Sequence, residues 1–129
     1  MPNVAALQVM VVDDMSTSRM LMISALQEIG FRQIIIAKGG KEALTQLQKS
    51  AAHLVVSDMN MPDLDGLSLL KALRSYKMKA KMAFILVTGS ADKTLISRGR
   101  ELGLNNFIAK PFTTPGVRNS IEAVLGPLK

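Results

Sequence analysis

Two kinds of hydrophobic pattern alternate along this chain. Short segments that are almost continuously apolar and rich in valine and isoleucine are typical of strands buried on both faces. Longer segments in which apolar residues recur every three or four positions are typical of helices that bury one side. The predicted strands cover residues 7–12, 33–37, 53–57, 82–87 and 105–109. The predicted helices cover residues 16–29, 41–49, 64–76, 91–102 and 114–125.

The regular alternation of strand and helix, with short connections, predicts an α/β fold. A three-layer (βα)5 sandwich with a five-stranded parallel sheet in the middle is the simplest arrangement that buries every apolar face. The 129 residues are an ordinary length for one domain and enough to bury a core. No repeat or linker interrupts the pattern, so we expect residues 1–129 to form a single domain.

The helical periodicity also predicts which positions face the sheet. In the first helix these are Met20, Ile23, Leu26 and Ile29. The fourth helix contains Gly99 in its interior, which costs about 1 kcal/mol relative to alanine. We therefore expect the fourth helix to be the softest and the most easily remodelled.

The composition is that of an ordinary globular protein, with 48% hydrophobic residues, 20% charged residues and no cysteine. No apolar stretch reaches the roughly 20 residues that a membrane-spanning helix needs, and the first residues show no secretory signal pattern. The lack of cysteine excludes disulfides and thiolate metal sites and agrees with a reducing compartment. We expect a soluble, cytoplasmic protein without membrane insertion.

The net charge of +6 raises the question of a nucleic-acid partner. Positive charges at the end of a helix complement the helix dipole, and nucleic-acid sites usually add aromatic residues on which bases stack. Here the densest cluster falls at a predicted helix end, and one tyrosine interrupts it. A solvated helix end is therefore the preferred interpretation, and no nucleic-acid partner is expected. The cluster consists of Lys71, Arg74, Lys77, Lys79 and Lys81.

Polar residues end four of the five predicted strands. The first strand is followed by Asp13 and Asp14, the third by Asp58, the fourth by Thr88 and the fifth by Lys110. The carboxyl ends of parallel strands lie at one edge of the sheet, where ligands of such folds bind. We therefore expect these side chains to lie close together.

The chemistry of this set points to phosphoryl transfer. Three carboxylates at close range repel each other unless a proton or a cation lies among them, and oxygen ligands without histidine or cysteine favour Mg²⁺. The Lys110 ammonium and the Thr88 hydroxyl add donors suited to the oxygens of a phosphoryl group. An aspartate such as Asp58 can be the nucleophile in such a site, forming an aspartyl phosphate.

At these positions the chain resembles the response-regulator receiver domain, and most of all the single-domain chemotaxis regulators of the CheY type. The matching motifs are Asp13-Asp14, the segment from Ser57 to Gly66, Thr88, and the segment from Lys110 to Thr113, in that order. The resemblance covers the whole chain and implies a flavodoxin-like fold with strand order 2-1-3-4-5. It also implies two-component signalling, in which a phosphohistidine of a sensor kinase donates the phosphoryl group.

The resemblance gives each residue of the site a role. Asp58 would be the phosphoacceptor. Asp14, Asp58 and the backbone carbonyl of Asn60 would bind Mg²⁺, and Asp13 would act through a water molecule. Lys110, preceding Pro111 in a cis peptide, would hold a phosphoryl oxygen.

Thr88 and Phe107 are the implied switch residues. Thr88 would move toward the attached phosphate, and Phe107 would change between inward and outward positions on the fifth strand. CheY-type regulators carry a tyrosine at the position of Phe107 and a tryptophan at the position of Met59. Phe107 lacks the hydroxyl with which that tyrosine can bond a partner.

The implied function is a phosphorylation switch rather than an enzyme. The face formed by the fourth helix, fifth strand and fifth helix would control partner binding, and the phosphate would be lost slowly by autodephosphorylation. The expected partners are a histidine kinase (CheA-like) and a flagellar motor switch protein (FliM-like), and the chain itself is expected to be a monomer. An alternative is a phosphate sink that drains a shared kinase and has no target of its own.

A haloacid-dehalogenase-like phosphohydrolase is a further alternative. Those enzymes also place a strand-end aspartate, a hydroxyl, a lysine and an acidic pair around Mg²⁺. They carry a second aspartate two residues after the nucleophile as general acid and base, whereas this chain has Asn60 there. The missing carboxyl favours a slowly hydrolysed aspartyl phosphate, and therefore a switch.

Overall fold

A five-stranded parallel sheet forms the centre of the computed structural model, which describes residues 3–75, 81–90 and 92–129. The strand order is β2-β1-β3-β4-β5, which confirms the expected flavodoxin-like topology. The strands are β1 (Gln8–Val12), β2 (Gln33–Ala37), β3 (Leu54–Asp58), β4 (Ala83–Thr88) and β5 (Asn106–Ala109). The α-helices are α1 (Ser16–Ile29), α2 (Gly40–Lys49), α3 (Gly66–Ser75), α4 (Lys93–Glu101) and α5 (Thr114–Leu125), and a 3₁₀ helix spans Val4–Ala6.

Two hydrophobic cores lie on opposite faces of the sheet. One contains Leu26 of α1 and Ile121 of α5, and the other contains Leu47 of α2 and Leu70 of α3. Successive residues of β3 point alternately into the two cores, which explains why the central strands are apolar at nearly every position. Within the described ranges, no helix is long and apolar enough to cross a membrane.

The predicted ends of several elements differ from the observed ones by one or two residues. β3 includes Asp58, and β4 includes Thr88, so both polar residues are the last residues of their strands. α3 begins at Gly66 rather than at Leu64, because the Asp65 side chain accepts a hydrogen bond from the Ser68 N–H and caps the helix. These shifts leave the carboxyl edge of the sheet as expected.

The predicted inner face of α1 is wrong at Met20, whose side chain is 59% exposed. The buried positions are Met22, Ile23, Ala25, Leu26 and Ile29. A helix turns about 100° per residue, so Met20 lies about 200° before Met22 and faces solvent. The error arose because a spacing of three residues alone does not locate the centre of the buried stripe.

Arg74 is not part of a solvated helix end, contrary to the prediction for the basic cluster. Its guanidinium donates hydrogen bonds to the carbonyl oxygens of Met82 and Gly103, at 2.5 and 2.9 Å, and to Oδ1 of Asn105 at 2.8 Å. Burial lowers the pKa of Arg74. The middle of the cluster, at 76–80, lies outside the described residues, so its part of the prediction stays untested.

Close packing against the following loop explains why α4 contains a glycine at position 99, and the sequence does not reveal this contact. It is the buried residue of α4, and a Cβ atom there would lie 2.7 Å from Cδ2 of Leu104. The glycine therefore lets the loop after α4 pack closely against the helix. The expectation that α4 is the most easily remodelled helix stays a prediction.

Candidate functional site

The polar strand ends meet at the carboxyl edge of the sheet, as expected. Asp13 follows β1, Asp58 ends β3, Thr88 ends β4 and Lys110 follows β5. The register places Asp58 beside Val87 of the neighbouring strand. The Lys110 N–H donates to the Thr88 carbonyl oxygen at 2.9 Å, which joins the last two strand ends.

Three carboxylates form the acidic centre of the site. Asp13, Asp14 and Asp58 each offer one oxygen, and these three oxygens lie within 4.8 Å of one another. Asp13 and Asp58 are buried, whereas Asp14 is exposed. Hard oxygen ligands at this separation suit Mg²⁺, whose charge would offset the repulsion among the acids. The exposed residue Asn60 follows in the loop of residues 59–65, where its carbonyl oxygen is a candidate further ligand.

Lys110 supplies the positive charge of the site. Its Nζ lies 2.7 Å from Oδ1 of Asp58, and the side chain of Asp58 is only 8% exposed. The Lys110–Pro111 peptide bond is cis, as the resemblance implied. A lysine at this distance can exchange its contact with the carboxylate for one with a group bound to it.

Burial raises the pKa of Asp58 above its ordinary value of 3.8. The hydrogen bond and the charge of Lys110 lower it, while the charges of Asp13 and Asp14 raise it further, and the net shift is upward. The ionised carboxylate is therefore held at a cost in folding free energy, which is typical of residues kept for chemistry rather than for stability.

Asparagine at position 58 carries no charge and avoids the cost of burying one. We therefore expect the Asp58→Asn protein, in the presence of a chelator, to be more stable than the native protein at pH 7. Because the folded state holds the Asp58 proton more tightly than the unfolded state, native stability falls as the pH rises from 3.8 through the raised pKa. Thermal unfolding at a series of pH values measures the difference. The advantage of the variant should vanish below pH 3.8, and an advantage that persists there contradicts the assignment.

Ser18 is a site residue that the sequence analysis missed. Its hydroxyl donates a hydrogen bond of 2.5 Å to Oδ2 of Asp13, and the Met15 N–H donates to Oδ1 at 3.0 Å. The Arg19 guanidinium donates to the Asp13 carbonyl oxygen at 2.9 Å. Three consecutive hydroxyl residues begin α1, and each resembles an N-cap, so only the structure identifies Ser18 as the one that holds an acid of the site.

Thr88, Phe107 and His53 lie on or next to strands of the sheet. The Thr88 Oγ1 accepts a hydrogen bond from the Ser90 N–H at 3.1 Å, and the residue itself is buried. Phe107 is half-buried on β5 beside Leu86. His53 lies just before β3, at the opposite end from Asp58, where its Nδ1 accepts from the Gln8 N–H.

An apolar groove of about 630 Å³ adjoins Lys110, between α1 and the segment that leads into α5. Met15 and Leu21 line it, and their side chains are 62% and 59% exposed. Exposed large apolar side chains beside a polar site are typical of a contact surface for another molecule.

Comparison with known proteins agrees with this geometry. The sequence model of the response regulator receiver domain matches residues 9–122. A probable chemotaxis protein CheY of Rhizobium etli is 43% identical over 123 residues, which cover 95% of each chain. Chemotaxis protein CheY1 of Helicobacter pylori is 33% identical over 121 residues, which cover 93% of this chain and 98% of that protein.

Solved structures show the same architecture. The chemotaxis protein CheY4 of Vibrio cholerae superposes with a TM-score of 0.86 at 26% identity, covering 92% of this chain and 98% of its own. The fold, the edge of the sheet that carries the polar residues and the sequence family thus agree. The chain belongs to the response regulator receiver domain family and is a CheY-like member of two-component signalling systems.

Proposed function

We propose that this protein accepts a phosphoryl group on Asp58 from a phosphohistidine of a partner kinase, with Mg²⁺ bound at the acidic centre. The observation that carries the proposal is the position of Asp58, which is buried at the end of β3 between two further acids and the Lys110 ammonium. Asp14, Asp58 and the Asn60 carbonyl would hold the ion, and Asp13 would contribute through a water molecule. When bound, the ion would neutralise charge on the transferring phosphoryl group.

In this transfer, a carboxylate oxygen of Asp58 attacks the phosphorus as the bond to the histidine nitrogen breaks. The electron pair of that bond returns to the imidazole, and the product is an acyl phosphate on Asp58. Lys110 leaves its 2.7 Å contact with Oδ1 and bonds a phosphoryl oxygen. The Thr88 hydroxyl then turns toward the phosphate, which is the first movement of the switch.

The aspartyl phosphate is expected to be long-lived because the loop after Asp58 lacks a carboxyl group at residue 60. A fast hydrolase needs a general base beside the aspartyl phosphate, and residue 60 is an asparagine with no carboxyl group. Slow autodephosphorylation is therefore expected, and a haloacid-dehalogenase-like activity is not. Met59 directly follows Asp58 and is half-buried where CheY-type regulators carry a tryptophan, and we expect this difference to change how fast the phosphate is lost.

The relatives from Rhizobium etli and Helicobacter pylori are named as chemotaxis proteins, which supports a role in chemotaxis with a CheA-like kinase as donor. The exposed Met15 and Leu21 beside Lys110 offer an apolar contact for that donor. Output to a FliM-like motor switch protein would use the α4-β5-α5 face. On that face Phe107 is half-buried, and the exposed bases are Lys93, Arg98, Arg100 and Arg118.

Capture of partners by phosphorylated and unphosphorylated protein tests this role. A target that binds the phosphorylated form at least tenfold more tightly supports a messenger. Capture of a kinase alone, with rapid transfer from it and no phosphate-dependent target, supports the phosphate-sink alternative, for which the missing tyrosine hydroxyl at Phe107 is the specific observation. Failure to accept phosphate from any histidine kinase or small donor contradicts both.

A further inference from the structure

The loop of residues 59–65, here called the acceptor loop, contains an aspartate that the proposed transfer does not use. Oδ2 of Asp63 accepts a hydrogen bond from the Lys41 N–H at 3.1 Å. Oδ1 accepts from the Gly40 N–H at 3.3 Å and from the Leu64 N–H at 2.8 Å. Gly40 and Lys41 are the first residues of α2, so Asp63 connects the acceptor loop to the start of another helix.

This contact replaces a cap that the helix lacks. The free N–H groups at a helix start are usually bonded by the side chain of the residue just before it. At α2 that residue is Gly39, which has no side chain. Burial by itself would raise the pKa of Asp63, but the hydrogen bonds from Lys41, Leu64 and Gly40 outweigh it and lower the pKa.

The two glycines at the start of α2 lie close to the acceptor loop. A Cβ atom on Gly39 would lie 2.8 Å from Oδ2 of Asp63. A Cβ atom on Gly40 would lie 2.5 Å from the Leu64 carbonyl oxygen. The contact at Gly40 is with the backbone of the loop, so a side chain there would push the loop away from the helix, whereas the contact at Gly39 is with the Asp63 carboxylate alone.

Among the described residues, the other backbone hydrogen bonds that hold the acceptor loop are made at its two ends. The Met59 N–H donates to the Val87 carbonyl oxygen at 3.0 Å, and the Gly66 N–H donates to the Met59 carbonyl oxygen at 2.9 Å. Asn60 lies one residue after the first of these anchors and three residues before Asp63. Met59 and the buried Met61 fix the chain on either side of Asn60, and Asp63 is the next residue of the loop that is bonded to another element.

We propose that Asp63 is a positioning residue, which anchors the acceptor loop to α2 and thereby holds the Asn60 carbonyl in place for Mg²⁺. Residues that orient a metal ligand without touching the metal often change the affinity about 10- to 100-fold when removed. The proposal rests on the function proposed above, because it takes the Asn60 carbonyl as a ligand. By linkage, binding of the ion should also steady the start of α2.

The test moves the carboxylate from the loop to the helix itself. Asp63→Ala removes both the helix cap and the loop anchor. The double variant Gly39→Asp/Asp63→Ala gives α2 its own cap and leaves the loop free, with the net charge of the native protein unchanged. Gly39 has an extended backbone, with φ −178° and ψ 168°, which an aspartate N-cap adopts readily, and Asp63→Ala removes the oxygen that a new Cβ would meet.

Two measurements separate the role of Asp63 as a cap of α2 from its role as an anchor of the acceptor loop. Thermal unfolding reports the helix cap, and titration with MgCl₂ followed by calorimetry reports the ion site. We expect Asp63→Ala to lower the melting temperature by about 3–6 °C and to weaken Mg²⁺ binding about five- to tenfold. The double variant should recover the melting temperature but not the affinity. Amide hydrogen exchange without metal should be faster at residues 59–65 in both variants, and faster at the start of α2 in Asp63→Ala alone.

Three outcomes overturn the proposal. If Asp63→Ala binds Mg²⁺ with the native affinity, the contact of Asp63 with α2 does not position a metal ligand. Recovery of both affinity and stability in the double variant shows that Asp63 acts only as a helix cap. A native protein that binds no Mg²⁺ contradicts the proposed function itself, and the positioning role is lost with it. A failure of the first two kinds leaves the phosphoacceptor assignment intact.

Discussion

Asp58→Asn protein incubated with acetyl phosphate and Mg²⁺ is expected to take up no phosphate. The amide that replaces the carboxylate cannot form an acyl phosphate, and its site neighbours do not provide a substitute. Asp13 already accepts hydrogen bonds at both carboxylate oxygens, from Ser18 and from the Met15 N–H. Asp14 is exposed, and the Lys110 ion pair is made to Asp58. Intact-mass measurement should show one added phosphoryl group on the native protein and none on the variant.

Asp65→Asn is the matched control for this experiment. Asp65 lies in the same acceptor loop and loses the same charge, but its carboxylate caps α3 by accepting from the Ser68 N–H at 2.8 Å. The control should therefore keep the label and nearly the native stability, because an asparagine side chain caps a helix start about as well as an aspartate. Label retained on Asp58→Asn at the native level refutes the phosphoacceptor assignment. Label lost from both variants points instead to a general effect of the loop charge.

Gly66→Ala is expected to destabilise the protein by about 2–3 kcal/mol, as overpacked sites commonly do. A Cβ atom there would overlap Cδ1 of Leu86 and would lie 2.7 Å from the carbonyl oxygen of Asp58 and 3.1 Å from Cα of Met59. Leu86 is fully buried in the sheet, and the other two atoms belong to the backbone of the site, so none of them can move without disturbing β3 or β4. Urea unfolding measures the loss, and slower labelling by acetyl phosphate should accompany it.

Gly89→Ala provides the comparison for the glycine effect. Nothing lies within 4 Å of a Cβ atom at Gly89, and the residue is exposed. The free energy of unfolding of the Gly89→Ala protein should stay within about 0.5 kcal/mol of the native value. If Gly66→Ala is as stable as Gly89→Ala, the close approach of α3 to the phosphoacceptor strand is not a constraint on this fold.

The family and the fold were accessible from the sequence because each depends on a local pattern, and the same patterns selected the candidate site residues. Five apolar segments, four of which end on polar residues, predict parallel strands whose polar ends share one edge of the sheet, and the structure confirms this arrangement. The predicted neighbours Asp58 and Lys110 are indeed in contact, although 52 residues separate them. In such a sheet the topology alone brings strand ends together, so no knowledge of side-chain packing was needed.

The errors have a common physical origin in packing between elements. Met20 was placed inside because helical spacing repeats on more than one face, and only contact with the sheet selects the buried one. Arg74 was read as a solvated base because its acceptors, among them Gly103 and Asn105, lie about 30 residues further along the chain. A charge pattern cannot indicate a partner at that distance when the partner is a backbone carbonyl or an amide.

By itself, the sequence determined the order of the elements, the residue types at the candidate site and the family, because these follow from residue types and their spacing. The tertiary structure decided which polar groups hold that site in shape. Ser18 was selected over its neighbouring hydroxyls by the turn of α1 toward Asp13, and Asp63 was joined to α2 because the start of that helix packs against the acceptor loop. Both contacts depend on the relative positions of separate elements, which the burial of two cores on one sheet establishes only when the whole chain has folded.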